Sequence, residues 1–496
     1  MIYKPYGNAA YKYGNTTRLY GDGSATDTAT HWSIEVDWAN TGSYDGSSEG
    51  AYAIGFEKTA GRKTKFQTGD NGEIIGYKHP DVGTCRITLD NTSRRFDPYN
   101  TSGPLYGNIL PGRFIRVRAT YAGVTYNVFH GNIARITPRD TGEHNTVVLD
   151  CEDGKRWLMN GDYNSNGVIT NENPANYALA VARTIYPSRL GVIADLPVLP
   201  GYELSYIWSN GRVSAMSMIT DLVRAQEDKW FINEAGQFEV RDLVSGPGGF
   251  PDAPNQINEA NTLKQIAIAQ PWDEIANVRK YVSHIRTQVD NFIMWEGLEK
   301  PLIPASGSYT FFPMATYNSE AVPSLIGSAT ITIVANTLED GTGTPLALFV
   351  GIISGADATS CILTITNFEA VSGYVTSVKL TGTVYPSENM VSTSEDATSI
   401  AAYGRHRLTL NGRLSDDVNK YNYVGNLLGS PTIEVQMQAR PDIQFSFPLF
   451  NRVAVSLPKY NIIVVLGANR FISFINQKWL DNSGQNVLTT LRLEEI

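Results

Sequence analysis

Leu89–Arg118 reads LDNTSRRFDPYNTSGPLYGNILPGRFIRVR. A strand ends in Leu89-Asp90-Asn91, and Arg94, Arg95 and Phe96 follow. Asp97-Pro98-Tyr99-Asn100 then opens a Gly/Pro-punctuated connection that closes at Leu110-Pro111-Gly112-Arg113. Asp97-Pro98 and Pro111-Gly112 favour turns, because Pro presets φ and Gly accepts positive φ. The connection is therefore long but locally stiffened, and ordered loops of this length between strands usually carry function. It is dense in Arg, Tyr, Asn and Pro and holds no catalytic pair, as expected of a surface that touches another protein. Arg94, Arg95 and Arg113 fit charge-assisted hydrogen bonds across a subunit contact, where guanidinium groups supply planar, bidentate donors. The competing reading pairs them with Asp90 or Asp97 inside the loop. Phe96, Tyr99 and Tyr106 are either interface anchors or a small core beneath the loop.

On both sides of the loop the pattern is β. Cys85, Ile87 and Leu89 alternate on one face, as do Trp32, Ile34, Val36 and Trp38. Phe114–Ala119 puts Ile115, Val117 and Ala119 on one face and Arg116 and Arg118 on the other. Tyr126–Ile136 and Asn145–Cys151 continue the alternation, so residues 31–160 form one β-domain. Residues 1–30, Gly/Thr/Ser/Tyr-rich and aperiodic, read as an extended arm. Residues 161–255 read as a small α+β domain. Its helices are Pro174–Tyr186, stopped by Pro187, and Ser214–Lys229, capped by Ser214 with Ile219, Leu222 and Val223 as the buried stripe. A hairpin turns around Asn233–Gly236, and Ser245–Pro254 reads as a linker.

Residues 305–394 change character: they are Thr/Ser/Gly/Val-rich and nearly free of Lys and Arg. Short strands at Thr330–Val334, Leu346–Gly351, Cys361–Thr366 and Val375–Val384 suggest an inserted β-sandwich-like domain. After it come a helix Glu395–Tyr403 closed by Gly404, a strand Arg405–Leu410 and a helix Asp416–Leu428. Five further strands follow between Thr432 and Leu493.

With 496 residues, 42% hydrophobic and 18% charged, the chain can bury ordinary cores. A net charge of −9 argues against tight nonspecific nucleic-acid binding, which needs a basic stripe, and suits a wall past which DNA slides. Cys85, Cys151 and Cys361 are too scattered for a disulfide framework or a metal knuckle. The opening MIYKPYGNAAYKYGN lacks the apolar core of a signal peptide, and the longest apolar run, Ile462–Leu466, is far below the ~20 residues of a membrane span. Folding in a reducing cytoplasm is expected. There is no G-x-S-x-G, H-E-x-x-H or G-x-x-x-x-G-K-[ST] pattern, and the six histidines are dispersed. Asp37, Asn40, Asp45 and Glu49 could offer oxygens to Ca²⁺; an ordinary polar turn is the competing reading. No catalytic residue, cofactor or metal is expected.

The run L-D-N-x-x-R-R-F-D-P-x-N with P-L-Y-G-N and P-G-R-x-x-R, between Leu89 and Arg116, resembles the first domain of tail hub (tail-tip or baseplate hub) proteins of long-tailed bacteriophages. Phe129-His-Gly131-Asn-Ile133 and the Trp230–Arg241 hairpin after a helix are similar to the same family. So are Ile275-Ala-Asn277-Val278 and Ser399–Leu410. The resemblance covers most of 31–300 and 395–496. It implies a mainly β fold with α+β subdomains: a tube-lining domain at 31–160, and a second assembled from 256–304 and 395–496. It also implies a non-enzymatic structural protein, a homotrimer at the distal end of the tail, which adapts a six-fold tube to a three-fold tip. Its implied partners are the tail tube or distal tail protein, the tape measure protein and fibre or tip proteins. DNA would pass through without specific binding, and the channel would stay closed until ejection. The implied location is the virion tail tip, after assembly in the host cytoplasm. The alternatives are a distal tail adaptor, a receptor-binding tail protein, a hub whose insert binds or degrades cell-wall glycans, and a component of a cellular injection or gene-transfer particle.

Overall fold

The alternating segments build one long antiparallel sheet. The computed structural model describes residues 29–495 with interruptions, the longest at 186–202, 242–252 and 415–431. The expected 1–30 arm (as far as residue 28) and the helix at 416–428 lie outside the described residues, as does the Ser245–Pro254 linker except for Ala253. The fold is mainly β, as the sequence implied.

Ten strands follow in spatial order: His31–Val36, Phe114–Tyr121, Val124–Asp140, Asn145–Asp153, Thr84–Asp90, Ala53–Gly61, Arg470–Trp479, Val487–Glu495, Thr432–Met437 and Leu263–Ala269. The first six roll so far that Trp32, on the first, lies 5.1 Å ring to ring from Phe56 on the sixth and 5.0 Å from Trp479 on the seventh. Inside the roll Ile34, Ile87, Leu89, Ile115, Val117 and Leu149 are fully buried, each worth about 1.5–3 kcal/mol. The remaining strands cover a second core containing Val435, Ile472, Leu491 and Leu493.

The two halves join where Ala53–Gly61 pairs with Arg470–Trp479, from Glu57 opposite Lys478 to Gly61 opposite Phe474. Beside this seam the Arg62 amide donates to the Ser473 carbonyl (2.8 Å). The Arg62 side chain makes a 2.5 Å ion pair with Glu494, both side chains 2% exposed.

In the small α+β part, Ser214 caps helix Ala215–Arg224 by accepting from the Ser217 amide. The helix was expected to reach Lys229, but it ends at Arg224 and Lys229–Ile232 is a strand paired with Phe238–Arg241. Four consecutive buried residues there suit a strand packed on both faces rather than one helical stripe. The hairpin turn uses Gly236 at φ 80, with the Asn233 side chain accepting from the Ala235 and Gln237 amides.

The insert is two packed sheets. One holds Val289–Glu296, Gly373–Val384, Thr330–Asn336 and Pro345–Leu346, with Leu302–Ile303 beside it. The other holds Ser308–Phe311, Ile362–Asn367 and Phe349–Ser354. The boundaries read from sequence need correction. Val289–Glu296 and Leu302–Ile303, assigned to the second tube-lining domain, belong to the insert because Met294 and Ile303 complete its core. Ser387–Glu395, assigned almost wholly to the insert, leaves it and pairs along its full length with Val278–Arg286. The chain thus enters and leaves the insert through a stalk of two strands that belong to a five-stranded sheet, completed by Arg407–Gly412, Ile74–Tyr77 and Phe66–Thr68. Asn277, just before the stalk, is buried; it donates to the Gly404 carbonyl and accepts from the His406 amide.

Candidate functional site: contact loop and charged sheet face

The Arg-rich loop is a staircase of turns. The amides of Arg94, Asp97, Asn100, Gly103 and Tyr106 each donate to the carbonyl three residues earlier, from Asn91 to Gly103. Asn91 holds the Phe96 amide with its side chain, and Asn100 donates to the Arg94 carbonyl. The far end is pinned where Gly112 donates to Ile133 and Ile133 to Arg113. Stiffness expected from Asp-Pro and Pro-Gly therefore has a backbone cause.

The arginines are engaged within the chain. Arg94 pairs with Asp97 at 2.6 Å, and that hydrogen bond holds the Asp97 carboxyl below its usual range. Arg95 reaches across to Glu49, a buried carboxylate on the 37–52 turn that also accepts from Trp38. The hydrogen bonds that Arg95 donates to Glu49 raise the Arg95 pKa further. Arg113 donates to the Asn108 carbonyl. Phe96 is 0% exposed, edge-on to Tyr52 at 5.3 Å; it belongs to the core and offers no surface to a partner. Tyr99 (84% exposed) and Tyr106 (52%), with Leu110 nearby, project outward. The large apolar side chains facing outward are Tyr99, Tyr106 and Leu110, beside an exposed Arg94, and the inner frame that holds the loop is Asn91, Arg95 and Asp97.

Asp37 is spent on the Thr41 and Gly42 amides, and Asp45 on Ser47. Among the described residues no group of three or more His, Cys, Asp or Glu is placed to hold a metal ion.

Sequence reasoning missed the outer face of the sheet. Residues opposite one another form a row across five strands, Arg135–Asp150–Arg86–Glu57–Lys478, alternating in sign and crossing the seam. Asp150 takes hydrogen bonds from Arg86 and Arg135, each 2.8 Å at the shortest; burial raises its pKa, but the two arginines outweigh this and leave it lowered. The adjacent row is Glu152–Thr84–Thr59–Asn476–Thr490–Gln436–Gln265 over seven strands, one carboxylate followed by hydroxyls and amides. On the first two strands Glu35 takes both Arg116 and Arg118, whose attraction overcomes the burial that would raise its pKa. The exposed pairs of Asp150 with Arg86 and Arg135 add little stability, about 0–1 kcal/mol each. Their consequence is electrostatic: the face carries many charges but no cationic stripe on which a polyanion would settle. Each of these residues is legible as outward-facing, but no sequence signal brings residues 53–61 beside 470–479.

No protein-family model matches the sequence, and no curated protein matches it. Solved structures do. The tail protein from Neisseria meningitidis MC58 is similar at 10% identity and TM-score 0.50, over 94% of this chain and 97% of that one. The 43 kDa tail protein of prophage MuSo2 from Shewanella oneidensis gives 10% identity and TM-score 0.47, over 94% and 98%. Prophage tail protein gp18 from Listeria monocytogenes EGD-e gives 7% and 0.42, over 93% and 94%. At such identity the likeness to the Neisseria protein is one of fold, and it spans nearly the whole of both chains. The chain has the fold of that tail protein.

Proposed function

We propose that this chain is a structural hub of a phage-type tail, working as a ring of three copies at the distal end of the tube. The observation that carries the reading is the single ten-stranded sheet, with its charge-balanced outer face running unbroken across the seam. Two linked half-sheets per chain, three times over, would present six related walls to a six-fold tube. The polar, sign-alternating face would line the channel and let DNA pass without specific binding.

Closure also answers an edge problem. At one end of the sheet His31–Val36 is covered by the 48–50 turn, where Ser48 accepts from the Ile34 amide. Leu263–Ala269 ends the order at the other side and exposes Ile268; a neighbouring copy would cover it. Tyr99 and Tyr106 would grip the neighbouring copy, and the ring would take the tail tube, distal tail, tape measure and fibre or tip proteins as its partners. The insert and the helix-and-hairpin part would stand outside the ring. On this reading the chain makes and breaks no bond; it adapts symmetry, anchors neighbours and keeps the channel closed until ejection, at the tip of a virion assembled in the host cytoplasm.

Solution mass tests the reading. Three chains per particle fit the hub and six fit a distal adaptor. Release of soluble sugar or peptide from peptidoglycan would replace the structural role with an enzymatic one.

A further inference from the structure

A cavity of about 820 Å³ opens where the insert meets the helix-and-hairpin part, within the roughly 300–1,000 Å³ of ligand sites. Three separate segments converge on it: Asn164 and Trp208 from the helical part, the Thr316–Ala321 hairpin of the insert, and the stalk ends around Arg286 and Glu388. The rings of Trp208 and Tyr317 are each half-buried, so part of each faces the opening. Tyr317 is steadied against Phe292 at 5.1 Å. Among the described residues the carboxylates of Glu320 and Glu388 have no hydrogen-bond or ion-pair partner and are exposed. Asp357, by contrast, is saturated by the amides and hydroxyls of Thr359 and Ser360. Arg286, the one cation in the described lining, donates to the Tyr385 carbonyl and stacks on Tyr206 at 4.9 Å.

We propose that this cleft binds a neutral saccharide. Two open carboxylates with no free cation repel phosphates and other anions. The polar lining gives a lipophilic ligand too little apolar surface to bury. A pyranose meets both features: its C–H face packs on an aromatic ring, and its hydroxyls donate to carboxylates and amide oxygens. A basic peptide would use the carboxylates but leave the two rings and the Asn318 amide without a role. The inference stands apart from the hub reading, since it concerns only the insert and its neighbour.

The test titrates the full-length chain with tetramers of glucose and of N-acetylglucosamine, and with trilysine, following heat and tryptophan fluorescence. The expected result is saturable binding of at least one saccharide, weakened about tenfold or more by Trp208→Ala. Glu388→Gln and Glu320→Gln, on exposed side chains that do not hold the fold, should weaken it by at least about threefold without moving the melting temperature. No saturation by about 10 mM of either saccharide, unchanged binding in all three variants, or tighter binding of trilysine would each overturn the proposal.

Discussion

Removing the Glu494 carboxylate should unfasten the seam that makes two half-sheets one wall. Arg62 and Glu494 are each 2% exposed and 2.5 Å apart, and Arg492 lies 3.6 Å from the other Glu494 oxygen. Glu494→Ala leaves the Arg62 guanidinium buried with the Lys78 carbonyl as its remaining named acceptor. Breaking one side of a buried pair costs about 3–5 kcal/mol, because the surviving charge keeps its desolvation penalty. For a cooperative unit of about 150–250 residues that corresponds to a fall in melting temperature of roughly 6–20 °C. Tryptophan fluorescence reports it directly, since Trp32 and Trp479 pack together beside the seam. The double variant Arg62→Met/Glu494→Leu removes both charges and should recover to within about 2 kcal/mol of the parent, or exceed it. A loss below about 1 kcal/mol in Glu494→Ala, or a double variant as unstable as the single, would refute the reasoning.

Three further outcomes follow from named contacts. His130 is buried beside Arg116, burial being the larger cause, and its pKa is pushed down to about 4. The unfolded chain therefore takes up a proton that the folded chain refuses. Stability present above pH ~6.5 should fall by up to about 3 kcal/mol on approach to pH 4. Melting curves of His130→Gln over that range should show a shallower slope; His79, also pushed down by burial, contributes in the same sense and remains. Gly236→Ala should destabilise by about 2 kcal/mol more than Gly112→Ala: both have positive φ, but a Cβ at 236 would sit 1.9 Å from the His130 ring while one at 112 meets open space. Thermal unfolding compares them. Tyr99→Ala should leave monomer stability within about 0.5 kcal/mol yet weaken self-association by about 2 kcal/mol or more, read by sedimentation; unchanged association would remove Tyr99 from the contact.

Much of this molecule is legible in the chain because side-chain periodicity fixes faces. The inward sets Cys85/Ile87/Leu89 and Ile115/Val117/Ala119 are buried as their alternation requires. Ser214 caps its helix and Gly404 closes another at φ 79. The stiff loop was readable from Asp97-Pro98 and Pro111-Gly112, because those pairs act locally. What depends on distant pairing was not. Glu49 as the partner of Arg95, Lys478 opposite Glu57, and the entry of Val289–Glu296 into the insert each require knowing which strands meet. Phe96 shows the same limit, since an aromatic beside two arginines looks alike whether it points out or in.

Electron cryomicroscopy of the purified, assembled chain bears most directly on the hub reading. Closed three-fold rings with Arg135, Asp150, Arg86, Glu57 and Lys478 facing the central channel are the expected result. Isolated monomers at tens of micromolar, or rings that turn this row to the outside, would contradict it.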